Sequence, residues 1–405
     1  MDCHVRKTFI EERGLLLPMS APVTSADSAQ MRLAPLPLRQ ARRMILVCPD
    51  LHEVGGIGMV SRLALRALQS YSAATGCHGE VWSYGKPAPD DSIPQAPNWQ
   101  VRYAHGRKAK ATLWGLKAGL GDARHTLVVV THLHLAPLAL PLVKRGAHLA
   151  VFLMGIEAWT PLSGLRTRAL QRAGQLLAIS QHAVDRFKKA NPDFADAAVR
   201  VCLLGVPESK SEVAHQPAAE PFALIVGRLS SQERYKGHDT LLELWREATK
   251  VCPAGRLVIV GDGDDRARLE NRAKELEVAN AVSFLGKVTG EKLELLYRDC
   301  DFFVMPSSEE GFGLVFLEAM RASRACIAGK GAAEEVVEHG ATGMVVPSHD
   351  RTALLAAITR LFRDPELRER MGHAGRERYL AHFTQAHFER RLLTALDLQA
   401  PMETQ

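Results

Sequence analysis

Glu310 and Glu318 lie within EEGFGLVFLEAM, separated by seven residues and set around a Gly-Phe-Gly turn. Gly311 and Gly313 disfavour helix at that point, so a helix is predicted to begin near Leu314 with its first N–H groups unpaired. Such a terminus accepts an anion. Glu310 then belongs to the loop, and Glu318 sits one turn inside the helix. Carboxylates beside a phosphate site are useful when they accept hydrogen bonds from sugar hydroxyls. The pattern points to a sugar nucleotide; an acidic pair favoured at a helix start by the macrodipole alone is the plainer alternative.

Two cations have a matching placement. Arg228 ends the strand-like run ALIVGR, and Lys236 precedes Gly237 and the helical run HDTLLELWREATK. Both are expected above one sheet edge, where positive charge stabilises a diphosphate as its glycosidic bond ionises. Gly55, Gly56 and Gly58 follow the first apolar run and permit close backbone approach to a phosphate at the next helix start. GGIG lacks the G-x-G-x-x-G spacing, and no acidic residue closes the second strand, which argues against a NAD dehydrogenase. GDGDD at Gly261 looks like an Asp-x-Asp metal site, but its strand-to-helix position reads as turn and N-cap chemistry. With no C-x-x-C pair and no Cys/His clustering, no metal is expected.

From VCPDLHEVGGIG near Cys48 to TGMVVPSHD near Asp350, these motifs resemble those of the family 4 retaining glycosyltransferases, which have the GT-B fold. The resemblance implies that Glu310 contacts donor-sugar hydroxyls and Glu318 the nucleotide ribose. It further implies that Gly311, Phe312, Gly313 and Leu314 surround the donor and that Arg228 and Lys236 hold its diphosphate without a metal. Gly55, Gly56 and Gly58 would approach the donor phosphates or an acceptor. LMGIEAW resembles the family's H-G-x-E-x-W, yet Met154 stands where the family has histidine, and methionine neither exchanges a proton nor accepts a strong hydrogen bond. His132 and His134 in the neighbouring THLHLAP are the candidates to line the cleft instead; strand alternation would turn both to one side, with Leu133 opposite. Glu157 is expected on the acceptor side, Trp159 packed or stacked on a sugar face, and Ser180 at a helix N-cap. The reaction so implied moves a sugar from a UDP- or GDP-sugar to a hydroxyl of a glycan or lipid-linked acceptor with retention and no cofactor. A sugar-nucleotide epimerase or hydrolase and a non-catalytic sugar-nucleotide-binding protein are the rivals.

The elements that must position these residues alternate short apolar strands with helices, the rhythm of an α/β chain with parallel sheets covered on both faces. Strand-like runs MILVCPDL, EVWSYG, TLVVVTHL, HLAVFLMG, QLLAISQ and VRVCLLGV make a first series. PFALIVGR, RLVIVGD, AVSFLGK, DFFVMP, ACIAGK and GMVVP make a second, with helices expected from His238, Asp264, Gly290, Leu314, Glu334 and Arg351. The expected architecture is two Rossmann-like doubly wound domains with an inter-domain cleft. Residues 1–42 show no sustained period and are read as a disordered tail. Residues 43–207 form the acceptor domain, 208–220 a linker and 221–380 the nucleotide-sugar domain, and the resemblance implies that 381–405 carry a helix crossing back to the first domain.

The length of 405 residues suits two such domains. Seven scattered cysteines read as free thiols in a reducing cytoplasm. No apolar run reaches the roughly 18 residues that span a bilayer. The net charge of +6 is modest, and without a basic helical stripe interleaved with aromatics no nucleic-acid partner is expected. Arg102, Arg107, Lys108, Lys110, Lys144 and Arg145 suggest peripheral contact of the first domain with an anionic membrane at its inner face.

Overall fold

The computed structural model describes residues 41–53, 55–88, 93, 96–209 and 220–398. Of the expected tail only Ala41 and Arg42 fall within these, and most of the linker lies outside the described residues.

The first sheet contains β1 (Arg43–Cys48), β2 (His78–Ser83), β3 (Trp99–Tyr103), β4 (Thr126–Val130), β5 (His148–Leu153), β6 (Gln175–Ala178) and β7 (Val199–Val201). The second contains β8 (Phe222–Val226), β9 (Arg256–Val260), β10 (Val282–Gly286), β11 (Phe302–Met305), β12 (Ala325–Gly329) and β13 (Gly343–Val346). The helices of the first half are α1 (Gly56–Thr75), α2 (Lys108–Ala118), α3 (Leu140–Val143), α4 (Leu165–Gln171) and α5 (Gln181–Ala190). Those of the second are α6 (His238–Val251), α7 (Arg266–Glu275), α8 (Glu291–Asp299), α9 (Leu314–Arg321), α10 (Arg351–Arg363), α11 (Pro365–His382) and α12 (Gln385–Ala395).

Central strands such as TLVVV and FFVM are buried along their whole length, as they must be when helices cover both faces of a parallel sheet. All pairings between strands in both sheets are parallel. The orders are β3-β2-β1-β4-β5-β6-β7 and β10-β9-β8-β11-β12-β13. Each reverses direction beside its first strand, so switch points open at the carboxyl ends of β1 and β4 and of β8 and β11. Gly55 follows β1, His132 follows β4, Arg228 follows β8 and Glu310 follows β11. The topology alone thus brings the candidate residues to the two crevices.

Several local expectations need correction. The edge strand β3 was not anticipated: WQVRY does alternate apolar and polar residues, but over five positions only, three of them exposed. Ala332–Glu335 is a 3-10 turn rather than an α-helix starting at Glu334. β4 stops at Val130, and His134 belongs to a 3-10 helix, Leu133–Ala139, so strand alternation does not govern the two histidines. Asp265 makes no side-chain cap bond to α7; Asp264 instead accepts from the N–H and hydroxyl of Ser231 at 3.1 and 2.5 Å. The chain returns to the first domain at Phe383 and Thr384, where Val206 N–H donates to Phe383 O at 3.0 Å, and α12 then packs on α1.

Candidate functional site

Gly313 is the N-cap of α9 and has φ 92°, a left-handed conformation that glycine adopts without strain. It ends the loop and starts α9, whose leading N–H groups have no partner within the helix and no side-chain cap. Gly311 is required for closeness: a Cβ there would lie 2.7 Å from the Met154 carbonyl oxygen. The loop before α9 therefore presses on the first domain at Met154. Phe312 is buried beneath the loop, and Leu314 faces the glycine turn, with a Cβ at Gly56 lying 3.8 Å from Leu314 Cδ1. Gly56 and Gly58 occupy the first turn of α1 rather than the loop before it.

Glu310 and Glu318 are half-buried and differ in surroundings. Burial raises the Glu310 carboxyl above the usual range, while Lys236 and the Gly311 N–H pull it down and Glu233 adds to the rise. Glu318 is raised first by burial as well, opposed by the Tyr297 hydroxyl and Arg321. Tyr297 donates to Glu318 Oε2 at 2.8 Å from a fully buried position in α8. A cavity of about 680 Å³ between α8, α9 and α11 includes Glu318 and Tyr297 in its wall.

The two cations converge, and they do so on a residue that sequence reasoning missed. Glu233 binds Lys236 Nζ at 2.6 Å with one oxygen and Arg228 Nη2 at 2.9 Å with the other. Its carboxylate bridges the two cations. A signal was present in ERYKGHD, where Glu233 precedes Lys236 by three residues, a spacing that suits an ion pair in a helical turn. Glu53, before the glycine turn, approaches Arg228 from the other domain at 4.0 Å.

On the first domain, His132 and His134 meet edge to face at 4.9 Å, and the His134 N–H donates to His132 Nδ1 at 3.4 Å. Burial lowers both pKa values; His132 and Arg166 add to the fall at His134 and Glu157 opposes it. Both rings are thus favoured in the neutral form. Glu157 turns one carboxylate oxygen back to the Met154 N–H at 2.8 Å. It fixes the turn that holds Met154 against Gly311, and burial raises its carboxyl.

The domains are clasped beside this point. Ser180 caps α5 by accepting from the Ala183 N–H at 3.0 Å, and its hydroxyl donates to Gly311 O at 2.8 Å. Glu335 of the second domain accepts from the Gln181 and His182 N–H groups at 2.9 Å each. Arg186 pairs with Glu309 at 2.9 Å and stacks 4.5 Å over Trp159. Trp159 therefore packs against a guanidinium and His182. Among the described residues no group of three His, Cys, Asp or Glu is placed to hold a metal ion.

The raised carboxyls have a consequence for stability. Folding lifts the pKa of Glu310, so the protonated form favours the folded state below the unfolded value, and that contribution is lost as pH rises through the folded value. In ligand-free melting, Glu310→Gln is expected to gain on the wild type as pH rises through that window. A shift of equal size at every pH would mean that the carboxyl titrates as it does in water.

Residues 208–378 match the model of the glycosyl transferases group 1 family. Over 269 residues the chain is 31% identical to the GDP-mannose-dependent alpha-(1-6)-phosphatidylinositol monomannoside mannosyltransferase of Mycolicibacterium smegmatis, covering 60% of this chain and 69% of that one. This chain belongs to the group 1 glycosyltransferases. It is also 28% identical over 214 residues to the alpha-D-kanosaminyltransferase of Streptomyces kanamyceticus, covering 50% of this chain and only 55% of that relative. Its fold is that of the GT-B glycosyltransferases. A sucrose-phosphate synthase from Thermosynechococcus elongatus superposes with a TM-score of 0.71 at 22% identity, covering 88% of this chain and 98% of that one.

Proposed function

We propose that this group 1 glycosyltransferase moves a sugar from a UDP- or GDP-sugar to an acceptor hydroxyl with retention, in polysaccharide or glycolipid assembly. The observation that supports the reading is that the 310–313 loop, which starts α9, packs against Met154 of the first domain, while Lys236, paired with Arg228 through Glu233, acts on Glu310. As the glycosidic bond ionises, its electrons pass to the leaving phosphate oxygen, and Arg228, Lys236 and the α9 N–H groups stabilise the charge. Glu310 holds the sugar by its hydroxyls and Glu318 the ribose. The acceptor hydroxyl attacks from the face the phosphate leaves, and its proton passes to that phosphate. No protein base is needed, which is compatible with Met154. No metal is needed either, since the two cations and the helix terminus supply the positive charge.

The donor class is tested by melting with UDP, GDP, ADP and NAD, where a selective rise is expected for one nucleoside diphosphate. Consumption of the matching sugar nucleotide only when an acceptor is supplied would then establish transfer. The GDP-mannose dependence of the Mycolicibacterium relative makes GDP-mannose the first donor to try. A reducing, cytoplasmic setting is part of the reading, supported by free thiols at Cys48, Cys77, Cys202, Cys252, Cys300 and Cys326. None of the described helices is long and apolar enough to cross a membrane.

Met154 itself favours a second reading, in which the chain binds a sugar nucleotide without turning it over. The two diverge on substitution. If the leaving phosphate accepts the proton, Met154→His is expected to change the transfer rate only a few-fold, as a repacking effect. Transfer gained by Met154→His from a wild type with none would favour the binding protein. If His132 or His134 has taken up a catalytic role, its alanine variant is expected to lose turnover and keep donor binding.

A further inference from the structure

Helix α2 buries small residues, with Trp114 half-buried against Trp82, and turns its leucines outward. Ala111 and Gly115 are buried. Gly115 and Gly119 lie so close to the chain beneath that an added Cβ would meet Leu138 O at 2.4 Å and Pro141 Cβ at 2.6 Å. The leucines face the other way: Leu113 is 48% exposed, Leu116 54%, and Leu120, just past the helix end, 78%. Steps of three and four residues place them in one stripe. Burying glycine and alanine while three leucines meet water is the reverse of what a helix does when its only partner is its own core.

The charge around the stripe is one-sided. From Arg102 to Arg124 the sequence holds six Lys and Arg residues and a single acidic one, Asp122. Asp122 is taken up by Arg124 at 2.8 Å. Arg107, Lys108, Lys110 and Lys117 are all exposed. Lys110 and Lys117 fall beside the leucines at helical spacing, and Lys110 also reaches over the half-buried Trp114 ring at 5.7 Å. Leucines flanked by long cations whose stems can lie along apolar surface match the boundary between acyl chains and phosphate headgroups.

We propose that this face of α2 docks the protein in the plane of an anionic lipid bilayer, with Leu113, Leu116 and Leu120 among the acyl chains and Lys110 and Lys117 on the phosphates. The helix starts just past the carboxyl end of β3, on the side of the sheet where the cleft opens. With α2 lying in the membrane plane, its first turn, at the cleft end of the β3 edge, lies beside the headgroups. Under the transferase reading, on which this last step rests, a lipid-anchored acceptor reaches the donor without leaving the membrane.

The test is co-sedimentation of the full, ligand-free chain with vesicles of phosphatidylcholine alone and of phosphatidylcholine with phosphatidylglycerol. Binding is expected only to the anionic vesicles and is expected to weaken as salt rises. The combined variant Leu113→Ser, Leu116→Ser, Leu120→Ser is expected to lose binding by about tenfold or more, and Lys110→Glu with Lys117→Glu by a similar factor. Both variants are expected to stay folded, because the altered side chains are exposed, and to keep transfer to a water-soluble acceptor, because those side chains lie outside the cleft. Wild type that stays in the supernatant, that binds neutral vesicles equally, or whose serine variant binds undiminished would overturn the proposal. Vesicle binding needs neither donor nor acceptor, so its failure is separable from failure of the transfer reaction.

Discussion

Glu310→Ala is expected to lower turnover of the sugar nucleotide by about two to three orders of magnitude while affinity for the free nucleoside diphosphate changes only a few-fold. The split follows from the proposed roles: Glu310 would meet the sugar, and the free diphosphate has none. Glu318→Ala is expected to weaken sugar nucleotide and free diphosphate alike. It carries a second effect, because the Tyr297 hydroxyl is buried and loses its acceptor, at about 1–3 kcal/mol of stability. Tyr297→Phe separates the two effects, since it removes the hydroxyl and leaves the carboxylate free for the ribose. Isothermal titration with the diphosphate, alongside steady-state kinetics, reads both outcomes. Equal and small effects at the two glutamates would sink the assignment.

Arg228→Ala and Lys236→Ala are each expected to reduce the rate by about two orders of magnitude, the usual loss when a preorganised charge stabiliser is removed. Glu233 shapes how this happens. It pairs with both cations, so under the proposed reading a diphosphate that binds between them has to displace its carboxylate. Glu233→Gln is accordingly expected to tighten binding of the free diphosphate, whereas loss of either cation weakens it. EDTA is expected to leave the rate unchanged. Strict dependence on added magnesium or manganese would contradict the scheme in which these two side chains supply the positive charge.

Much of this arrangement was legible because it is local. The glycines around Phe312 and the apolar face of LVFLEAM define α9, and the runs ending at Val130, Val226 and Met305 are continuous enough to read as buried parallel strands. Elements that depend on neighbours were not legible. β3 is an edge strand whose alternation of Trp99, Val101 and Tyr103 with glutamine and arginine spans only five residues, too few to mark it beside the longer buried runs, and the 3-10 helix after β4 is set by how Leu133–Ala139 packs. Long-range partners were hidden for the same reason. Tyr297 and Glu318 lie on different helices, and nothing in either segment announces the bond. Glu335 reaches α5 from 153 residues away. Glu233 is the exception, because its spacing to Lys236 was visible and only its bridging role to Arg228 needed three dimensions.

The reach of Glu335 to α5 ties the end of one helix to the traffic of the reaction. While the domains stay together, the second domain supplies the acceptor for the first N–H groups of α5, and Ser180 on the same turn steadies the carbonyl of Gly311. A rotation that parts them leaves those N–H groups to water and frees the Gly311 loop, which under the proposed reading grips the sugar. Letting go of the donor side and unsealing the acceptor side are then one movement. Spent nucleotide is expected to depart by the same swing that admits the next acceptor, with the end of α5 as the latch that times the cycle.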